Sequence, residues 1–173
     1  MLFKFIEYMS AKDVFETWRE NEEHVEHWKE FYKGSSWLEW RLQFFAKFNG
    51  PNQDWYRCSI ANPEVILEFR GGPFRGWKNQ YYGDCLMPPF KTIAKNPKIA
   101  EQPYIRNLSE NFPKETIITA LNTDDFGMFV IEGMHRCAAV ALALEEGREI
   151  DSDITVIVSD YSFGELVQQF NRL

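Results

Sequence analysis

The segment Phe129-Val130-Ile131-Glu132-Gly133-Met134-His135-Arg136-Cys137-Ala138-Ala139 carries a carboxylate, an imidazole and a guanidinium within five positions. Apolar residues flank those five on both sides, so the segment reads as a strand that turns through glycine straight into a buried helix. His135 and Arg136 then fall in the helix's first turn. Free backbone N–H groups and the positive end of the helix dipole favour anions there, not cations. A phosphate would engage the N–H groups and both side chains, with Arg136 offering a planar fork of donors. The competing reading is internal: Arg136 and His135 pair with Glu132 or another acidic residue, and the turn only locks strand to helix. Glu132 divides the same way. It is either a carboxylate that holds Mg²⁺ or takes a proton from an attacking hydroxyl, or a counter-ion for Arg136.

The elements that must position this turn follow from the pattern around it. Thr116 to Leu121 is β-branched and apolar, Asn122 to Asp125 has turn chemistry, and Gly127 to Ile131 is apolar again, which predicts strand, turn and strand. Met134 to Glu146 is apolar almost all round and ends at Gly147, as a helix buried on most sides does. Ile154 to Val158 returns as a strand. Ser162 with Glu165 caps a last helix carrying Phe163, Leu166, Val167 and Phe170.

At the other end, Ser10 caps an amphipathic helix expected to run to about Lys33, with Val14, Phe15, Trp18, Val25, Trp28 and Phe31 at helical spacing. Ser36 and Glu39 have capping-box spacing and open a second helix, with Trp37, Trp40, Phe44 and Phe48 on one side until Asn49-Gly50-Pro51. Between Pro51 and Pro103 the pattern weakens. Val65-Ile66-Leu67 reads as a short buried strand, and Lys91 to Ala100 and Ile105 to Asn111 as helical. The expectation is an α/β (α+β) chain forming one domain over 1–173, helical over 1–50 and then a small mixed sheet around a buried helix.

With 45% hydrophobic and 16% aromatic residues, the 173-residue chain falls outside the disordered, collagen-like and low-complexity classes. Its net charge of -7 repels a phosphate backbone, so a nucleic acid is disfavoured as a partner. Cys58, Cys85 and Cys137 are odd in number and far apart, which suggests neither a zinc site nor a disulfide framework and points to a reducing cytoplasm. Met1 to Ser10 lacks an uninterrupted apolar segment and the longest apolar run is Cys137 to Leu144, so neither a signal peptide nor a membrane span is expected.

Gly133-Met134-His135-Arg136, followed by Ala138-Ala139 and the strand Ile154 to Val158, resembles the ParB and sulfiredoxin-like superfamily. There a strand leads into a Gly-x-His-Arg or Gly-x-Arg-Arg turn, then an Ala-rich helix, then a strand. Pro113 to Ile118 is similar to the family's preceding strand, and the resemblance covers about 102–160. It implies nucleotide phosphates bound at the helix start by Gly133, His135 and Arg136, with ATP or another nucleotide and Mg²⁺ as cofactors. Met134 stands where sulfiredoxins carry their reactive cysteine, which argues against sulfinic-acid repair. Glu132 to Arg136 is similar to the motif of the superfamily's free-serine kinases, which keeps phosphoryl transfer or nucleotide hydrolysis open, with Glu132 as catalytic and metal-binding carboxylate. Partition proteins add a helix-turn-helix, for which no room is expected before Leu173. The expected ligand is a small phosphate-bearing molecule. The alternative is a non-catalytic protein-interaction module on the same fold, and nucleic-acid processing ranks third.

Weaker signals lie elsewhere. Lys91, Lys95 and Arg106, just upstream of the resembling segment, are the candidate further cations for a nucleotide. The stretch Arg70 to Lys98, with Trp77, Tyr81 and Tyr82 interleaved, reads either as a phosphate-facing surface or as ordinary surface lysines. Glu20, His24 and His27 would share one helical face, which could ligate a metal or be solvated. The stripe Trp37, Trp40, Phe44 and Phe48 is either a partner groove or core.

Overall fold

The computed structural model describes residues 2–32 and 34–172. Five strands, β1 (Phe3–Met9), β2 (Trp55–Ile60), β3 (Glu115–Thr123), β4 (Gly127–Glu132) and β5 (Asp153–Asp160), form one mixed sheet in the order β1-β2-β5-β3-β4. β3 and β5 run parallel, and the other neighbouring pairs are antiparallel. The helices are α1 (Ala11–Glu22), α2 (Glu26–Lys29), α3 (Trp37–Lys47), α4 (Arg75–Trp77), α5 (Phe90–Ile93), α6 (Pro97–Glu101), α7 (Pro103–Glu110), α8 (Met134–Glu145) and α9 (Phe163–Arg172). This is an α+β fold in which the helices α1 to α3 precede most of the sheet. Among the described residues no helix is long and apolar enough to cross a membrane.

Local chemistry accounts for the helix boundaries near the site. Ser10 accepts from the Asp13 N–H at the start of α1, and Ser36 with Glu39 closes a full capping box on α3. α8 carries the chain from β4 to β5 and buries Cys137 to Ala143 without interruption, so the apolar run that made it conspicuous in sequence is its packing surface. Ile118, Ala120, Val156 and Val158 of the central strands are fully buried in the same core.

Several expectations are corrected. The chain opens with a strand, since Phe3–Met9 pairs antiparallel with Trp55–Ile60, and neither strand stood out in sequence. The first helix stops at Glu22 rather than continuing: Val25 is extended, and only the single turn of α2 follows. Lys33, the expected end of that helix, and the side chain of Phe170 lie outside the described residues. Val65-Ile66-Leu67 belongs to a 3-10 helix, Pro63–Glu68, because Asn62 caps it through the Glu64 N–H and Pro63 has its φ preset for a helix start. The Lys91 to Ala100 helix is split in two, as Asn96 and Pro97 start a new turn.

Candidate functional site

Glu132 ends β4, and Gly133 turns the chain into α8 at a φ of 92°, a left-handed conformation that side chains disfavour. A Cβ there would stand 3.1 Å from the Ile118 Cγ2 and 3.2 Å from an Arg136 guanidinium nitrogen. Arg136 reaches back to the Glu132 carboxylate and also donates to the Ile117 carbonyl at 2.7 Å and the Thr116 hydroxyl at 3.2 Å. Asn21 of α1 donates to the second Glu132 oxygen at 3.4 Å. The internal reading of Arg136 is therefore the one the geometry carries: its guanidinium joins β3, β4 and α8.

A second buried ion pair lies nearby. Glu22, at the end of α1, accepts from the Arg41 Nε of α3 at 2.6 Å and from the Trp37 indole at 3.0 Å. The Arg41 guanidinium carbon lies 4.4 Å from the Trp40 ring centroid and 5.1 Å from that of Phe44. Burial pushes the Glu132 carboxyl up to about 7, against the pull of Arg136 and with a further push from Glu22.

His135 faces differently. Its ring lies among those of His27, Trp77, Trp28 and Tyr104, with centroids 4.9, 5.1, 5.3 and 5.4 Å away. Burial, helped by His27 and Arg136, lowers its pKa to about 3, so the imidazole is neutral across the physiological range. Its buried Nδ1 finds no partner among the described residues. Burial also pushes the Cys137 thiol far up, which makes it a core residue and not a nucleophile.

Above this turn lies a cavity of about 480 Å³. It is lined by Trp28, Trp40, Phe44, Phe74 and Trp77, with the Phe44 and Phe74 rings stacked 5.3 Å apart, together with Glu22, Arg41 and Glu132 to His135. The wall that carries Phe74 and Trp77 is held by a close approach at Gly72. A Cβ on Gly72 would fall 2.0 Å from the Val130 carbonyl, while the Tyr82 hydroxyl donates to the Gly72 carbonyl at 2.8 Å. Only a glycine lets this segment run against β4 and carry Phe74 to Trp77 over the start of α8. The N–H groups of Met134, His135 and Arg136 have no acceptor among the described residues, since the first bond of α8 is Cys137 to the Gly133 carbonyl.

The structure brings Glu132, Gly133 and His135 to the cavity, while Arg136 lines a smaller recess beside it. It does not bring Lys91, Lys95 or Arg106 there. Lys91 pairs with Glu68 at 2.8 Å, and Lys95 is exposed. Arg106 pairs with Glu146 at 2.7 Å, at the far end of a twelve-residue helix roughly 18 Å long. Besides Arg41, which is paired with Glu22, the cations on the lining are the exposed side chains of Lys47 and Arg75, and Arg75 also donates to the Asn171 carbonyl at 3.2 Å. Lys47 follows Trp40 and Phe44 on one face of α3, and Arg75 and Trp77 belong to the basic, aromatic stretch Arg70 to Lys98 that reads in sequence either as a phosphate-facing surface or as ordinary surface cations. Of the basic stretch, Lys78 donates to the Gly83 and Cys85 carbonyls and Arg70 to those of Phe126 and Met87, so these cations serve the local backbone.

The donor set does not fit Mg²⁺. Glu132 is the only carboxylate of the motif and already holds a guanidinium, and among the described residues no group of three His, Cys, Asp or Glu side chains could hold a metal ion. The proposed Glu20, His24 and His27 face is absent for the same reason that α1 is short: His24 and His27 lie beyond its end. Trp37 and Phe48 of the aromatic stripe are core, whereas Trp40 and Phe44 are half-buried on the cavity wall. Set against family models, curated proteins and solved structures, the chain matches none of them.

Proposed function

We propose that this chain binds a small phosphate-bearing ligand of the nucleotide type in the cavity over the first turn of α8. The observation that carries the reading is the pairing of aromatic walls with an open helix start. Trp28, Trp40 and Trp77 line the cavity with aromatic surface for a planar group, and the unbonded N–H groups at the head of a twelve-residue helix present donors for an anion. Lys47 and Arg75 at the opening supply positive charge for the remaining oxygens. Neutral His135 adds polarity without adding charge. The order β3, β4, α8, β5 with Gly133-Met134-His135-Arg136 at the strand-to-helix turn supports kinship with the ParB and sulfiredoxin-like superfamily.

Glu132 is the titratable group at the floor, its carboxyl pushed up by burial against the pull of Arg136 and its oxygens held by Arg136 and Asn21. A ligand hydroxyl reaching the floor would meet it there. The reading extends to binding, with no step through Mg²⁺. The three cysteines form no disulfide and two are buried, which fits a reducing compartment such as the cytoplasm.

The test is calorimetric titration with ATP, CTP, GTP and pyrophosphate on the wild type, Lys47→Ala, Arg75→Ala and Trp77→Ala. Binding to the wild type is expected, weakened about tenfold by each cation loss and reduced most for the nucleosides by Trp77→Ala. Absence of binding by every one of these compounds to the folded wild type overturns the proposal.

A further inference from the structure

β1 is an edge strand, and among the described residues nothing pairs with its outer side. β4, the other edge of the sheet, is covered: the Arg70 N–H donates to the Met128 carbonyl at 2.8 Å and the Val130 N–H to that of Arg70 at 3.0 Å. Among the described residues no backbone bond reaches the outer edge of β1, whose middle five residues are all exposed. Alongside Lys4 and Glu7, charges of the kind that guard an edge, the strand carries exposed apolar side chains. Of the eight exposed large hydrophobic residues among the described residues, Phe5, Ile6 and Tyr8 lie on β1 and Leu2 immediately precedes it. Uncovered apolar edges template pairing with another strand.

The irregularity within β1 decides which strand fits. Phe5 pairs with Cys58 and Glu7 with Arg57, so Ile6 is an extra residue, a bulge. The bulge resets the alternation of faces. Lys4 and Glu7, opposite Ser59 and Arg57, come to lie on one face, while Phe3, Phe5 and Tyr8, opposite Ile60, Cys58 and Tyr56, lie on the other. The Phe5 and Tyr8 rings are in fact 5.1 Å apart. In an unbulged strand Lys4 and Glu7, three positions apart, would point to opposite faces.

A two-fold axis between Phe5 and Ile6 would then set two copies of this strand antiparallel in a matching register. Lys4 of each copy stands opposite Glu7 of the other and Phe3 opposite Tyr8, each pair on a common face, with Phe5 and Ile6 meeting at the axis. Opposite charges across such a pair stabilise it and like charges destabilise it. Strand β1 is thus complementary to itself in charge and in apolar contact, and the interface is isologous. We propose that the chain self-associates through β1, joining two five-stranded sheets into one of ten strands across a two-fold axis. Its occupant is a second copy of this chain. A single strand pair buries less than a standard interface, so the dimer forms reversibly as concentration rises.

The test uses two charge reversals, Lys4→Glu and Glu7→Lys, in sedimentation velocity and light scattering. The wild type is expected to double in mass with concentration. Each variant alone sets two like-charge pairs across the interface and should dimerise about tenfold or more weakly. Mixed one to one, the variants restore two opposite-charge pairs and should dimerise as the wild type does. Circular dichroism confirms that both variants fold, since Glu7 also lies 3.5 Å from Arg57 within the chain. Amide exchange in the dimer should slow over Phe3–Met9. A wild type that stays monomeric at the highest concentration reached overturns the proposal. So does a dimer indifferent to both reversals, a mixture that fails to recover, or protection confined to another face.

Discussion

Arg136 donates to Glu132 across one turn, and in doing so it faces away from the cavity that His135 and Gly133 line. The side chain with the best chemistry for a phosphate is committed to holding β4 against α8. Removing it takes three hydrogen bonds from β3 and β4 and leaves Glu132, whose carboxyl burial already pushes up, to take up a proton, at a cost of about 1–3 kcal/mol. Arg136→Ala is therefore expected to lower the urea midpoint sharply while the folded fraction keeps its affinity for whatever ligand the wild type binds. Lys47→Ala should do the reverse, leaving stability within about 0.5 kcal/mol and weakening binding. If Arg136→Ala left the midpoint unchanged and abolished binding, the guanidinium would be a ligand-contacting group after all.

Two buried groups at the turn give stability opposite pH slopes. His135 stays neutral down to about pH 3 in the folded chain against 6.5 for an ordinary imidazole, so its share of stability is complete above about 6.5 and is lost as pH falls. Glu132 keeps its proton to about 7 when folded against an ordinary 4.5, so its share is complete below about 4.5 and is lost as pH rises through 7. His135→Leu removes the first slope and leaves the second. Thermal midpoints from pH 4.5 to 8 are expected to fall toward acid less steeply in this variant than in the wild type. Parallel curves for the two proteins would show that His135 titrates normally.

Gly133 is required for its backbone. At a φ of 92° with Ile118 Cγ2 3.1 Å from the position of a Cβ, alanine brings both left-handed strain and a crowded contact. Gly133→Ala is expected to cost about 1–2 kcal/mol from the conformation alone, and the shift of Arg136 it forces adds to that. Gly147→Ala is the control, because its φ is 74° but nothing lies within 4 Å of its Cβ. Equal losses at the two positions in chemical denaturation would mean that the contact contributes nothing.

How legible this was differed by region, for physical reasons. The hairpin of β3 and β4, the helix α8 and the strand β5 were readable because each buries a continuous apolar run, and the caps Ser10 and Ser36 marked α1 and α3. β1 was not, since its alternation of apolar and charged residues is broken by the bulge at Ile6 and five of its seven residues are exposed. The turn from Glu132 to Arg136 was found by residue type, but which way Arg136 faces depends on Thr116 and Ile117, supplied by a strand some twenty residues upstream. The wall that carries Phe74 and Trp77 was marked by the aromatic stretch around Trp77, but its placement depends on the close approach of Gly72 to the Val130 carbonyl and on the Tyr82 bond to Gly72, which no local pattern encodes.

Glu22 and Arg41 offer the clearest separation of charge pairing from packing. Their side chains are 2% and 6% exposed, and the guanidinium is ringed by Trp18, Trp28, Trp40 and Phe44. Arg41→Met keeps much of the apolar contact but strands the Glu22 carboxylate, at a cost of about 3–5 kcal/mol. Arg41→Lys keeps the charge yet loses the planar fork and the stacking on Trp40, so it too should destabilise, though by less. In the double variant Glu22→Gln/Arg41→Met no buried charge remains unpaired, and the Trp37 indole still finds an amide oxygen. Recovery of at least half of the Arg41→Met loss is expected in a double-mutant cycle by urea denaturation. Strictly additive losses would mean that the pair contributes through packing alone, and that Arg41 is held by the rings around it and not by Glu22.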